Sequence, residues 1–278
     1  MTKKIMKIIK LITANVFVSL FSITCIFPII WMVYSSLKTN KEFSLNIMKL
    51  PEVLQFGNYV QAMVEGKIAS YFRNSVINTF VTVFFVIVLA FVAGYLLSRF
   101  QFRGRNVIYT LFLSGMLVPI YALLIPIFIE FKALGLLNKR ISLILPYIAF
   151  ALPTAIFLIE SFITTIPKEL EEAAYIDGSS FLNTMFKIIM PVCKPVISTC
   201  AILSFLSTWN EFPLALVLIR SNTLKTMPIG LTNFVGAYTV NYPLMLSALV
   251  VSTIPVILIY LLFYNQIMKG MTAGAVKG

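Results

Sequence analysis

The sequence predicts an all-α polytopic membrane protein with six transmembrane helices. Of its 278 residues, 59% are hydrophobic and only 12% are charged, a composition that excludes an ordinary water-soluble domain. Six apolar stretches also reach the roughly 20 residues that a helix needs to cross a bilayer. Lipid-exposed backbone must satisfy its own hydrogen bonds, so each stretch is expected to be helical. We place the six helices, within a single domain over residues 1–278, at residues 11–34, 75–98, 107–129, 141–163, 196–219 and 244–266.

The first stretch follows a basic N-terminal segment, but it is longer than the apolar region of a signal peptide and lacks a small-residue cleavage site. We interpret it as an uncleaved helix. Basic residues favour the cytoplasmic side of a membrane. They cluster before the first helix and after the second, at Lys3, Lys4, Lys7, Lys10, Arg99, Arg103 and Arg105. Both termini are therefore expected inside, and anionic lipid rather than nucleic acid accounts for the net charge of +12.

The sequence lacks the usual signals of an enzyme or a metal protein. It contains no histidine and no phosphate-binding P-loop, which removes histidine-dependent catalytic sets and an ATP site of its own. Cys25, Cys193 and Cys200 have no metal-binding spacing. We expect no metal, no cofactor and no catalytic activity in this chain.

Prolines interrupt every predicted helix except the second, and each removes one helical hydrogen bond. They are Pro28, Pro119, Pro126, Pro146, Pro153, Pro213 and Pro255. Such bends are common beside a solute path, although ordinary packing of membrane helices tolerates them equally well. The second stretch instead carries Ala90 and Gly94 at the spacing that permits close helix contact.

The fifth stretch contains a polar block, Ser207 to Pro213, inside an apolar helix. An acid such as Glu211 costs a few kcal/mol at membrane depth unless it faces protein or water. Trp209 offers a flat ring for stacking on a sugar, and Asn210 offers a donor and an acceptor. We expect a bend at Pro213. The block either lines a solute path or forms a polar clamp between helices.

The segment at residues 164–195 predicts two short helices joined by a turn. After Pro167, acidic residues favour a helix start, and Gly178 is suited to a left-handed stop. Ser179 and Ser180 can cap a second helix, which Pro191 ends. Helices of about ten residues cannot span a membrane. The hairpin therefore either docks into another protein or only caps the bundle.

This segment resembles the EAA loop of ABC-importer permeases, with Met190 where that family usually has leucine. The matching positions are Glu172, Ala173, Ala174, Gly178, Ile188 and Pro191. Three further segments, Ser36–Thr39, Trp209–Phe212 and Gly270–Gly278, are similar to the smaller permease subunit of maltose-type carbohydrate importers. The resemblance covers nearly the whole chain. It implies a type I ABC importer fold with a cytoplasmic coupling helix, in the cell membrane of a bacterium.

The resemblance also implies roles for particular residues and partners. Glu172, Ala173, Ala174, Asp177, Gly178, Ile188 and Pro191 would couple the chain to an ATPase dimer, which holds ATP and magnesium. The tail at Gly274, Lys277 and Gly278 would face that ATPase. A homologous larger permease subunit would complete the membrane pathway, and an extracellular solute-binding protein would deliver the solute. Trp209, Asn210 and Glu211 would lie on the substrate path.

The expected function is thus ATP-driven import of a sugar or oligosaccharide by alternating access. A glycerol phosphate or polyol importer of the same kind is an alternative. An ion-coupled secondary transporter would explain the prolines and Glu211, but it would leave the EAA segment unexplained.

Overall fold

The computed structural model describes residues 2–236 and 240–275, with side chains for residue 6, 9–236 and 240–264. The described residues form helices and no β-strand, apart from one isolated bridge between Val235 and Val240. The α-helices are α1 Thr2–Ser36, α2 Asn40–Leu45, α3 Gly57–Val64, α4 Ile68–Arg99, α5 Arg105–Gly115, α6 Ile120–Ala133, α7 Ile141–Ile163, α8 Glu169–Ile176, α9 Phe181–Asn183, α10 Met190–Val192, α11 Lys194–Trp209, α12 Pro213–Leu218, α13 Met227–Leu231 and α14 Tyr242–Ala275. A π-helix occupies Thr184–Ile189, and a 3₁₀-helix occupies Thr232–Phe234.

Four helices are long and apolar enough to cross a membrane within the described residues: α1, α4, α7 and α14. Two bent pairs of helices also qualify if each pair counts as one span: α5 with α6, and the segment Phe181–Val192 with α11. Length and composition therefore give four to six crossings, in agreement with the predicted all-α membrane class. The count of six and the orientation stay predictions.

The third predicted helix, residues 107–129, is not continuous in the structure. It is broken into α5 and α6, which meet at an angle of 100°. Pro119 precedes α6 in an extended conformation, with φ −72° and ψ 123°. A proline lacks an N–H group and disfavours helical geometry at the residue before it. These two effects explain why the chain turns here and does not merely bend.

The chain forms two compact units, one of residues 1–68 with 231–254 and one of residues 69–230 with 255–278. In the first unit, the motif Ser36–Thr39 builds the turn after α1. The Lys38 side chain is 1% exposed, and its Nζ donates to the backbone oxygen of Ile47 at 2.7 Å. Burial lowers the pKa of Lys38, with nearby Glu42 opposing the shift. Thr39 and Glu42 form a capping box that starts α2.

The second unit packs α4 closely against α7. Ala90 and Phe91 are fully buried, and a side-chain carbon added to Gly94 would lie 2.9 Å from Ile159 Cγ2. Only glycine permits this approach, so the close contact predicted from Ala90 and Gly94 is confirmed. The same unit contains the hairpin and the polar block of the fifth stretch.

Candidate functional site

The predicted hairpin begins with α8 and turns at Gly178. Gly178 has φ +81°, the left-handed conformation that was predicted for it. Its N–H donates to the Tyr175 carbonyl oxygen at 3.0 Å, and the N–H of Ser179 donates to that of Ala174 at 2.9 Å. These bonds satisfy two carbonyls at the end of α8. A side chain at Gly178 would meet nothing within 4 Å, so the turn requires glycine for its backbone conformation alone.

The second arm of the hairpin is not one regular α-helix. It starts at α9, widens into the π-helix Thr184–Ile189 and returns to α-helix at α10. The N–H of Met190 donates to the Met185 carbonyl, five residues back. Ser180 makes no side-chain cap, although its backbone oxygen accepts from the N–H of Thr184 at 2.8 Å. π-Helical turns are rare and occur frequently at functional sites.

A buried carboxylate ties the first arm of the hairpin to α4. Glu171 is 8% exposed. It accepts from the Tyr95 hydroxyl at 2.8 Å and from Arg99 Nε at 2.5 Å. Arg99 also donates to the backbone oxygen of Ile166 at 3.0 Å, in the link before α8. The base of the hairpin is thus fixed to the end of α4 by charge-assisted hydrogen bonds.

A second carboxylate, at the end of α7, repeats this arrangement. Glu160 accepts from Arg105 Nη2 at 3.0 Å and from the Tyr109 hydroxyl at 3.1 Å. Arg105 Nε also donates to the Leu97 carbonyl oxygen at 2.6 Å. The hydrogen bonds of Glu171 join α8 to the end of α4. Those of Glu160 and Arg105 join the start of α5 to the ends of α7 and α4. We call them the hairpin anchor, made of Tyr95, Arg99, Arg105, Tyr109, Glu160 and Glu171.

The sequence reasoning did not find the hairpin anchor. One signal was available, because Glu171 and Ala174 stand three residues apart and therefore share a helix face. Both are buried in the structure, whereas the neighbouring Glu172 and Ala173 are exposed. The partners of Glu171 lie 72 and 76 residues away in the chain, so no local pattern could have indicated them.

The other side of the hairpin is open. We define the hairpin tip as five exposed residues: Glu172, Ala173, Ile176, Asp177 and Leu182. Ile176 is 87% exposed, and Leu182 is 60% exposed. Of the other predicted coupling residues, Gly178 and Pro191 are exposed, Ala174 is buried and Ile188 is half-buried. An exposed apolar and acidic surface on a fixed base can serve as a contact for another protein.

The polar block of the fifth stretch breaks the helix as predicted, because α11 ends at Trp209 and α12 starts at Pro213. Trp209 is 1% exposed, and its ring stacks on Phe205 at 5.6 Å between centroids. Phe72 contacts the Trp209 ring edge-on at the same distance. These contacts favour a packing role for Trp209. Asn210 is exposed, and its Nδ2 donates to the Leu206 carbonyl oxygen at 3.0 Å.

Glu211 acts as a cap for α12 and a clamp to α7. Its two carboxylate oxygens accept from the N–H groups of Leu214 at 2.6 Å and Ala215 at 3.1 Å. The Tyr147 hydroxyl donates to it at 2.6 Å. Free N–H groups at a helix start favour a carboxylate. The three bonds explain how an acid is accommodated here and favour the clamp over the solute path for Glu211.

Replacing Glu211 with alanine is expected to lower the melting temperature of the purified protein. The change leaves two N–H groups and one hydroxyl without an acceptor, and loss of a helix cap alone costs about 0.5–2 kcal/mol. Thermal unfolding of the detergent-solubilised protein measures the effect. Asn210→Ala is the control, because it removes only one exposed bond. Equal melting temperatures for Glu211→Ala and the wild type would contradict the clamp.

The predicted ATPase-facing tail is only partly described. Gly274 belongs to α14, which runs to Ala275. Lys277 and Gly278 lie outside the described residues, and their role stays a prediction.

The described helices have the fold of type I ABC importer permeases. A solved structure with a similar fold is that of a bacterial ABC transporter involved in the import of the acidic polysaccharide alginate. Its TM-score is 0.81 at 24% identity, over 91% of this chain and 95% of that chain.

Residues 86–272 match the family described as binding-protein-dependent transport system inner membrane component, and the chain belongs to that family. The probable ABC transporter permease protein YurM of Bacillus subtilis strain 168 is 37% identical over 95% of this chain and 87% of its own length. The diacetylchitobiose uptake system permease protein NgcG of Streptomyces coelicolor is 34% identical over 93% of this chain and 86% of its own length. The chain is therefore a multi-pass membrane protein of ABC importers and is not itself the catalytic subunit.

Proposed function

We propose that this chain is one of two permease subunits of an ATP-driven importer, and that it carries a sugar or oligosaccharide delivered by an extracellular binding protein. The observation that carries the proposal is the hairpin. Its tip is exposed and partly apolar, while its base is held by the hairpin anchor. A surface of this kind can transmit a displacement from a partner to the helices, because its base cannot move independently of them.

In this proposal the hairpin tip sits against a cytoplasmic ATPase subunit. ATP binding closes the ATPase dimer and displaces the tip. Glu171 passes that displacement to α4 through Arg99 and Tyr95. Glu160 and Arg105 join the ends of α5 and α7 to the same movement. The helices then change from the inward-facing to the outward-facing arrangement.

The carbohydrate class rests on the relatives. One relative takes up diacetylchitobiose, and the importer of similar fold takes up alginate. These two solutes share a chain of sugar rings and differ in charge, which supports a carbohydrate without specifying one. We also propose that Asn210 lines the solute path, since its side chain is exposed beside the break between α11 and α12. Selection of the solute would be shared with the larger permease subunit and the binding protein.

An ion-coupled transporter is the weaker candidate. Its main support was Glu211, an acid at membrane depth that could exchange a cation. The carboxylate accepts three hydrogen bonds from Tyr147 and the start of α12. Binding a cation would require giving up those bonds, so nothing in the geometry favours this function.

The proposed function predicts ATP hydrolysis that depends on solute. The chain is co-purified with its ATPase and the larger permease subunit, reconstituted in lipid nanodiscs, and assayed with the sugar-loaded binding protein. We expect hydrolysis to rise several-fold with a cognate sugar, and Asn210→Ala to change the concentration of sugar for half-maximal stimulation. Uptake that follows an ion gradient and persists without the ATPase would contradict the proposal.

A further inference from the structure

A cavity of about 220 Å³ lies between α7 and α11, apart from the hairpin and from the cap of α12. Its lining includes Phe150 and Thr154 from α7 and Ser204 and Ser207 from α11. Thr154 stands 13 residues into α7 and Ser204 stands 10 residues into α11. At 1.5 Å per residue these positions are about 20 and about 15 Å from the helix starts. The cavity therefore lies along the interior of both helices, away from their ends.

Three hydroxyls line this cavity, beside the Cys200 thiol, which donates to the Ala155 carbonyl oxygen at 3.8 Å. Ser207 donates to the Ser204 carbonyl oxygen at 3.1 Å. Within the part of the chain that the structure describes, the hydroxyls of Thr154 and Ser204 have no hydrogen-bond partner. This contrasts with Thr199 on the same helix, whose hydroxyl donates to the Pro195 carbonyl oxygen at 3.1 Å. Serine and threonine in a membrane helix usually satisfy their hydroxyls in that way, so Thr154 and Ser204 are free to bind something else.

The rest of the lining is apolar and includes one aromatic ring, that of Phe150. A sugar ring presents apolar C–H groups on its faces and hydroxyls around its edge, which matches apolar walls that carry a few hydroxyls. A lipid chain would match the apolar walls alone and would leave the two free hydroxyls unpaired, which is unfavourable. The volume of about 220 Å³ is below the 300–1,000 Å³ typical of pockets for drug-sized ligands. It suits one sugar ring.

We propose that the cavity between α7 and α11 is a carbohydrate subsite of this chain, in which Thr154, Ser204 and Ser207 bind the hydroxyls of one sugar ring during translocation. The inference rests on the proposed function and adds to it a place where this subunit itself contacts the solute. It also changes which residue of the polar block at residues 207–213 is expected to contact the solute. Ser207 faces the cavity, whereas Trp209 packs against Phe205 and Phe72.

The test is the double variant Thr154→Val/Ser204→Ala in the assembled complex, with Thr199→Val as the matched control. Both changes nearly conserve volume, and Thr199 lies on α11 outside the cavity. Transport into proteoliposomes is measured with maltose, diacetylchitobiose and an alginate oligosaccharide. Each lost hydrogen bond is expected to reduce transport about two- to ten-fold. The control Thr199→Val should transport each sugar at the wild-type rate.

A second readout uses Ser207→Cys in a chain without its three native cysteines. A small thiol reagent should modify this cysteine, and the transported sugar should slow the reaction. Unchanged transport in the double variant, together with labelling that sugar does not slow, would overturn the subsite. Loss of complex assembly in the double variant would also overturn it, because the cavity would then be a packing surface for the other subunit. If uptake by the wild-type complex follows an ion gradient and persists without ATP, the proposed function fails instead.

Discussion

Gly178→Val is expected to weaken the response of ATP hydrolysis to sugar. Gly178 has φ +81°. A residue with a Cβ in this conformation costs about 1–2 kcal/mol, and a β-branched side chain is more restricted still. Because nothing lies within 4 Å of the added carbon, the strain acts through the backbone and shifts the hairpin tip. We expect sugar-stimulated hydrolysis in the assembled complex to fall about ten-fold, the change that 1.4 kcal/mol produces.

Gly135→Val is the matched control for this experiment. Gly135 has φ +63° and is equally open to an added side chain, but it follows α6 and lies outside the hairpin. Both variants carry a similar backbone strain, so their melting temperatures should fall by similar amounts. Only Gly178→Val should reduce sugar-stimulated ATP hydrolysis. Sugar-stimulated ATP hydrolysis at the wild-type level in Gly178→Val would show that the hairpin tip has no role in the transport cycle.

Glu171→Ala is expected to produce the largest loss of stability among these variants and to break transmission from the hairpin. Removing one partner of a buried ion pair leaves the other charge uncompensated, at a cost of about 3–5 kcal/mol. Arg99 has 6% of its side chain exposed, so its charge would stay largely buried. We expect a melting temperature several degrees lower and hydrolysis that no longer responds to sugar.

Two further variants separate stability from transmission. Glu169→Ala removes an acid from an exposed position of the same helix and should leave both readouts near those of the wild type. The double variant Glu171→Gln/Arg99→Met removes both charges and should recover part of the melting temperature. If it also recovered sugar-stimulated hydrolysis, Glu171 would have only a structural role.

The hairpin shows which structural features local sequence patterns can predict. Gly178 could be predicted as a left-handed stop because glycine is the residue that most readily adopts this conformation at the end of a helix. The choice between Glu171 and Glu172 could not be predicted, since both acids favour the helix start equally. Tertiary contacts with Tyr95 and Arg99 decide that Glu171 faces inward.

The fifth stretch shows a signal that was present but misread. An acid two residues before a proline is typical of a helix start, and Glu211 caps the helix that begins at Pro213. The apolar length of residues 196–219 favours one continuous helix and outweighs this local signal. The cavity between α7 and α11 depends on which faces of two helices meet, and the spacing within either helix alone does not determine that.

The separation between the hairpin anchor and the hairpin tip has a consequence for how such importers diversify. The buried residues that hold the hairpin lie on one face of α8, and the exposed residues that a partner could contact lie on the other. Substitutions at the tip therefore leave the folded core intact. If the tip contacts an ATPase as proposed, a few surface changes on α8 would be enough to alter the choice of that partner without rebuilding the permease.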